Sequence, residues 1–181
     1  MRVLGIDCGG ESTGYGVVEQ PNDGTLRCLA AGAIRLLPQR PLAERLQIIF
    51  DGLRAIIAAN APDVVAIEDV FYATNAKSAL KLGQVRGVAM LTASTSGLPV
   101  AEYAPLAIKA AVAGYGRAEK VQVQYMVQRL LKLPEIPRPS DAADALAIAI
   151  CHLHTSATLA RQTGAEDARG RSPRGIPAPV E

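Results

Sequence analysis

Apolar residues occupy both faces of Arg2-Val3-Leu4-Gly5-Ile6 until the run ends on Asp7, with Cys8-Gly9-Gly10 behind it. A strand patterned this way is buried between two layers, and this one delivers a carboxylate to a glycine turn. Thr13 to Glu19 alternates as a second strand, Pro21-Asn22-Asp23-Gly24 supplies turn geometry, and Leu26 to Leu37 returns as a third. The three predict an antiparallel meander. From Pro41 to Asn60 the apolar positions Leu42, Leu46, Ile49, Leu53, Ile56 and Ile57 step by three and four. That spacing predicts an amphipathic helix with proline at its tolerated N-terminal end.

Pro62-Asp63 breaks the helix, and Val64-Val65-Ala66-Ile67-Glu68 reads as a buried strand reached by a helical crossover, so parallel to its neighbour. It too ends on an acid. Ala76 to Ser96 is a long helix with Ala79, Gly83 and Gly87 four apart on one face. Glycine costs up to about 1 kcal/mol inside a helix, so the repeat implies a close neighbour, either the sheet or a second subunit. Pro99 to Tyr103 is the last expected strand, followed by helices from Pro105 to Val112 and from Ala118 to Leu133. Pro134, Pro137 and Pro139 hold an extended segment before a helix from Asp141 to about Thr155. That helix is apolar nearly all round and should insert against the sheet. The pattern gives one domain over residues 1–156 and a disordered tail over 157–181, where arginine, glycine, proline and charge replace the apolar period.

The 181 residues, 49% hydrophobic and 20% charged, suffice for one core without a staple. A net charge of +2 hints only weakly at a polyanionic partner. Cys8, Cys28 and Cys151 are odd in number and widely spaced, which argues for reduced thiols in a cytoplasmic protein. Met1 leads straight into the first strand, leaving no room for a signal peptide, and no apolar run is expected to span a membrane.

Asp141 and Asp144 are three residues apart and share a face in the first turns of a buried helix. The helix dipole eases one acid there by a few tenths to about 1 kcal/mol, but it does not account for two. Set beside the strand ends carrying Asp7 and Glu68, they form a cluster that a divalent cation would neutralise. All-oxygen ligands favour magnesium or manganese over zinc. Four acids can hold two ions about 3.5–4 Å apart, which suits in-line hydrolysis of a phosphodiester. Cys151, His152 and His154 lack the second ligand pair of a zinc site and fit a helix C-terminus instead.

Leu4-Gly5-Ile6-Asp7, Thr13-Gly14-Tyr15-Gly16-Val17, Ala66-Ile67-Glu68, Asn75 with Ser78 to Gly87, and Asp141 to Ala149 together resemble the bacterial RuvC family of Holliday junction resolvases. Ala118-Glu119-Lys120 and Leu130-Leu131-Lys132-Leu133-Pro134 belong to the same pattern, which covers about residues 1–156. The resemblance implies an α/β, ribonuclease H-like fold: a mixed five-stranded sheet, its first three strands antiparallel, with helices on both faces. It also implies that Asp7, Glu68, Asp141 and Asp144 are catalytic metal ligands for magnesium, with manganese as a substitute. The implied activity is paired symmetric nicking of four-way junction DNA by a homodimer, in recombination and repair, alongside the branch-migration proteins RuvA and RuvB. Cys8 stands where the family usually has proline, and Tyr72 and Thr74 also depart from its habit.

By the same resemblance Phe71 is an aromatic that inserts at the junction, whereas Tyr72 reads as core packing; Lys109 and Lys120 contact the scissile strand. Aromatics on a loop after a catalytic strand can stack on unpaired bases, and the lysines taken alone would be ordinary surface residues. Lys81 and Arg86 could extend a basic track along the long helix, while Lys77 reads as a solvated face. Two rival readings stay open at this point. An actin-like ATPase or sugar kinase would use the glycine turn to cradle phosphates but needs a second lobe. A non-catalytic junction-binding module would have lost one of the acids.

Overall fold

In the computed structural model, which describes residues 1–69 and 76–170 and the side chains of all of these but 77 and 160–170, the alternation of the first strand divides the core in two. Val3 faces one layer with Val18, Val64 and Ala66, and Leu4, Ile6 and Cys8 face the other with Val17, Val65 and Ile67. The strands are β1 (Arg2–Cys8), β2 (Ser12–Glu19), β3 (Arg27–Arg35), β4 (Val64–Glu68) and β5 (Val100–Tyr103), in the order β3-β2-β1-β4-β5. β1, β2 and β3 pair antiparallel as expected, whereas β1–β4 and β4–β5 are parallel.

Helices α1 (Leu42–Asn60) and α2 (Ala76–Thr95) cover the Leu4 face through Ile49, Leu53, Val85, Ala89 and Ala93. Helices α3 (Pro105–Ala113), α4 (Lys120–Leu130) and α5 (Ser140–Gly170) cover the Val3 face, with Ile108, Val112, Val123, Val127 and Leu146 in its core. The α1 stripe is the one that its three-and-four spacing predicts from Leu46 to Ile57, whereas Leu42, at the start of the predicted stripe, is exposed. α5 is longer than expected: it continues to Gly170, across the first part of the proposed tail at 157–181. The reason is local, because Ala157, Leu159, Ala160, Arg161 and Gln162 are good helix formers once a buried helix has nucleated. Residues 171–181 lie outside the described residues. Contrary to expectation, one run among the described residues, Ser140–Leu159, is long and apolar enough to cross a membrane by composition, at 20 residues and mean hydropathy 1.2. It lies instead in the core, where Ala142 to Ile150 are buried apart from Asp144.

What lets α5 lie so close to the sheet is glycine in β1 and β2. Gly5 pairs with Gly16, and Gly14 with Asp7. A Cβ on Gly5 would fall 2.0 Å from the Ala145 carbonyl oxygen, one on Gly14 2.1 Å from that of Asp141, and one on Gly16 2.7 Å from Leu146. The glycines of α2 behave differently. A Cβ on Gly83 or Gly87 meets nothing within 4 Å, so packing on this chain's own sheet does not explain them. They share the exposed side of α2 with Leu80 and Leu91, 66% and 56% exposed.

Candidate metal centre and nucleic-acid interface

Ile6 of β1 lies opposite Ile67 of β4, so Asp7 and Glu68, each one residue on, turn to the face under α5. Both line a cavity of about 320 Å³ with Lys109 of α3, Lys120 of α4 and Asp144 of α5. Asp141 sits in the first turn of α5 and Asp144 one turn on, brought to Asp7 by the close approach at Gly14. Carboxylate oxygens of Asp7, Asp141 and Asp144 all lie within 4.8 Å of one another. Glu68 lies outside that tight trio but faces it across the cavity and is electrostatically coupled to Asp7 and Asp144.

The crowding has an electrostatic cost. Burial first, and then the charges of Asp144, Glu68 and Asp141, push the Asp7 carboxyl up to about 7, with Lys120 opposing. Burial and Asp144 likewise raise Glu68, against Lys109 and Lys120. Lys120 Nζ lies 2.5 Å from Asp144 Oδ2. Burial works against the charge of Lys120, but that hydrogen bond and the charges of Asp144, Asp7 and Asp141 outweigh it and raise its pKa. A central acid that is half protonated near neutrality marks a site short of positive charge. The donors are carboxylate oxygens throughout, because Cys8 points to the other face of the sheet. The residues present therefore fit a hard divalent cation.

Local structure aims the two lysines. α4 opens with a capping box in which the Glu119 side chain accepts from the backbone of the third residue and Gln122 Oε1 accepts the Glu119 N–H at 2.8 Å. The Tyr115 hydroxyl donates to the same Gln122 oxygen at 2.6 Å. This network fixes the first turn of α4, where Lys120 projects over Asp144. Sequence reasoning missed Ser12, whose hydroxyl donates to Asp141 Oδ2 from the first residue of β2. Its only signal was a hydroxyl residue opening the strand opposite the Asp7 turn, and the partner is 129 positions away.

Not every expected residue reaches the cavity. Lys81 is exposed on α2. Arg86, expected on a basic track along α2, is tied to Asp69 and Glu102 on the opposite side of the sheet. Phe71, Tyr72 and Thr74 lie outside the described residues. Cys8 is buried and its thiol is pushed up to about 12, by burial first and by Asp7 second, which agrees with an unreactive role. His152 Nδ1 bonds the Tyr103 hydroxyl at 2.8 Å and His154 Nδ1 the Ala111 carbonyl at 2.9 Å. Neither belongs to a metal-competent cluster among the described residues.

Similarities to known proteins bear on this arrangement. The family model described as crossover junction endodeoxyribonuclease RuvC matches residues 3–152. A crossover junction endodeoxyribonuclease RuvC of Koribacter versatilis is 64% identical over 161 residues, which span 89% of this chain and 97% of the relative. The Thermus thermophilus RuvC structure superposes with a TM-score of 0.81 at 37% identity, covering 87% of this chain and 96% of that one. T. thermophilus RuvC in complex with a Holliday junction substrate gives a TM-score of 0.80 at 34% identity, with the same coverage.

Proposed function

The chain belongs to the RuvC family of crossover junction endodeoxyribonucleases, and from that premise we propose that it resolves four-way DNA junctions by paired, symmetric phosphodiester hydrolysis at the acidic cluster. The observation that carries the reading is the convergence of Asp7, Asp141 and Asp144 within 4.8 Å, in a cavity they share with Glu68 and two lysines. In this reading the four carboxylates hold magnesium, with manganese as a substitute and two ions per site. Such ions, when bound, lower the pKa of the attacking water and offset charge on the phosphate in an in-line displacement.

The protein's own groups do the rest. Ser12 orients Asp141, and Lys120, paired with Asp144 at the cavity, would contact a non-bridging oxygen of the scissile phosphate. Lys109 lies across the cavity beside Glu68 and holds the same strand. These are position-fixing backbone contacts without base specificity. Phe71 is proposed to stack at the junction, and Lys81 to add affinity along α2.

We propose further that the protein is a homodimer joined through the exposed face of α2. Gly83 and Gly87 leave room there for a second backbone, with Leu80 and Leu91 on the same side. A two-fold dimer presents one site to each of two symmetry-related strands. Action in the cytoplasm, in recombination and repair with RuvA and RuvB, follows from the family reading.

The test is cleavage of a synthetic mobile four-way junction beside a matched linear duplex and an RNA–DNA hybrid, in magnesium or EDTA. Paired symmetric nicks confined to the junction and abolished by EDTA are expected. Nicking that persists in EDTA, or preference for the hybrid, would contradict the proposal.

A further inference from the structure

On the face of the sheet away from the acidic cluster, one arginine joins α2 to the ends of two strands. Arg86 Nη2 lies 3.3 Å from Asp69 Oδ1 and also bonds Glu102 Oε2. Asp69 is the residue after Glu68, and its N–H donates to the Tyr103 carbonyl at 2.8 Å, extending the β4–β5 ladder one step past the Glu68–Tyr103 pair. Alternation along the chain turns Glu68 to the cavity and Asp69 to the α2 side. Glu102, opposite Ile67 in the register, points the same way as Asp69. A single guanidinium nitrogen thus grips the end of the strand that carries Glu68 and the strand beside it.

The arginine is poorly placed for DNA. Its side chain is 23% exposed, two carboxylates already balance it, and its Nε is buried with no hydrogen-bond partner among the described residues. Leaving a buried polar nitrogen unsatisfied is unfavourable, and reaching a phosphate would also require breaking both ion pairs. The arrangement makes sense if the position of the strand end matters more than the solvation of the arginine.

We propose that Arg86 is a positioning residue for the junction-cleaving reaction: by clamping Asp69 and Glu102 it holds the end of β4, and with it the Glu68 carboxylate, in place for metal binding. This rests on the reading of Glu68 as a metal ligand. Removing a group that holds a metal ligand in place typically changes metal affinity or activity by about 10–100-fold.

The experiment compares Arg86→Met, Arg86→Lys and the near-isosteric Asp69→Asn and Glu102→Gln, so that a folding failure of one variant leaves the others to decide. Manganese binding to DNA-free protein is followed by electron paramagnetic resonance, junction affinity in calcium by fluorescence anisotropy, and single-turnover cleavage as a function of magnesium. The expected result for Arg86→Met is about tenfold weaker manganese binding. Its cleavage defect should shrink as magnesium rises, junction affinity should stay within about twofold of the parent, and Arg86→Lys should fall between. Loss of junction affinity with unchanged manganese binding would overturn the inference and make Arg86 a DNA contact. A fall in melting temperature with metal and junction affinities unchanged would overturn it too, leaving a purely structural ion pair. Glu68→Gln separates the two levels of argument: if it binds manganese like the parent, the metal-ligand reading of Glu68 fails. If it loses binding while the Arg86 variants do not, only the clamp fails.

Discussion

Asp7 carries the electrostatic strain of the site, and its protonation can be followed without DNA. Its carboxyl sits at about 7 in the folded protein against 3.8 ordinarily, so the metal-free folded state holds a proton that the unfolded chain releases. That contribution to stability is present at low pH and is lost as pH rises through about 7. Metal-free protein should therefore gain about 1 kcal/mol, roughly 2–4 °C in Tm, on going from pH 8 to pH 6. The raised pKa of Glu68 acts in the same direction. Thermal denaturation in EDTA checks this, with Asp7→Asn as the reference that should lack most of the trend. An identical pH profile in both proteins would be the contrary result. Ser12 gives a second residue-scale expectation: Ser12→Ala should weaken manganese binding by about tenfold with folding intact, because Asp141 loses the hydroxyl that orients it. A titration curve superimposable on the parent's would remove Ser12 from the site.

At the level of elements, the acids are only as close as α5 allows. Gly5 and Gly14 have no space for a methyl group between β1, β2 and the α5 backbone. Gly5→Ala should therefore cost roughly 3 kcal/mol or more, about 6–12 °C in Tm, by forcing the helix off the sheet. Chemical denaturation measures it, and a loss below about 1 kcal/mol would mean the helix seats itself by other contacts. For α2 the expectation concerns assembly. Leu91→Lys, at an exposed position on the helix, should shift the protein from dimer to monomer in sedimentation, and nicking of the two junction strands should become uncoupled. A dimer unaffected by Leu91→Lys would place the interface elsewhere.

These elements also show what could be read from sequence. The acids at the ends of β1, β4 and the start of α5 were legible because each interrupts an apolar run, a local signal. The α1 stripe was legible for the same reason. The glycines of β1 and β2 stood in plain view, but their purpose depends on a helix more than 120 residues away. Ser12 with Asp141, and Arg86 with Asp69 and Glu102, are partnerships of register and topology, which no spacing along the chain encodes. The end of α5 is not legible because composition near Arg161 looks polar, whereas its helix propensity carries an already nucleated helix onward.

Over the whole molecule, the ribonuclease H-like sheet expected from the resemblance is the one observed, and its two faces have separate tasks. One face carries α5, the acids and the lysines. The other carries α2, with the proposed subunit contact and the Arg86 clamp. On this account binding of the junction is spread over many contacts, whereas hydrolysis depends on a single cluster. The most direct test is to measure junction cleavage and junction affinity side by side for the parent and Asp7→Asn. Asp7→Asn should reduce cleavage at least about a thousandfold, because the cluster loses a charged ligand at its centre, with affinity within about threefold of the parent. Cleavage that survives the substitution, or affinity that falls as far as cleavage does, would contradict it.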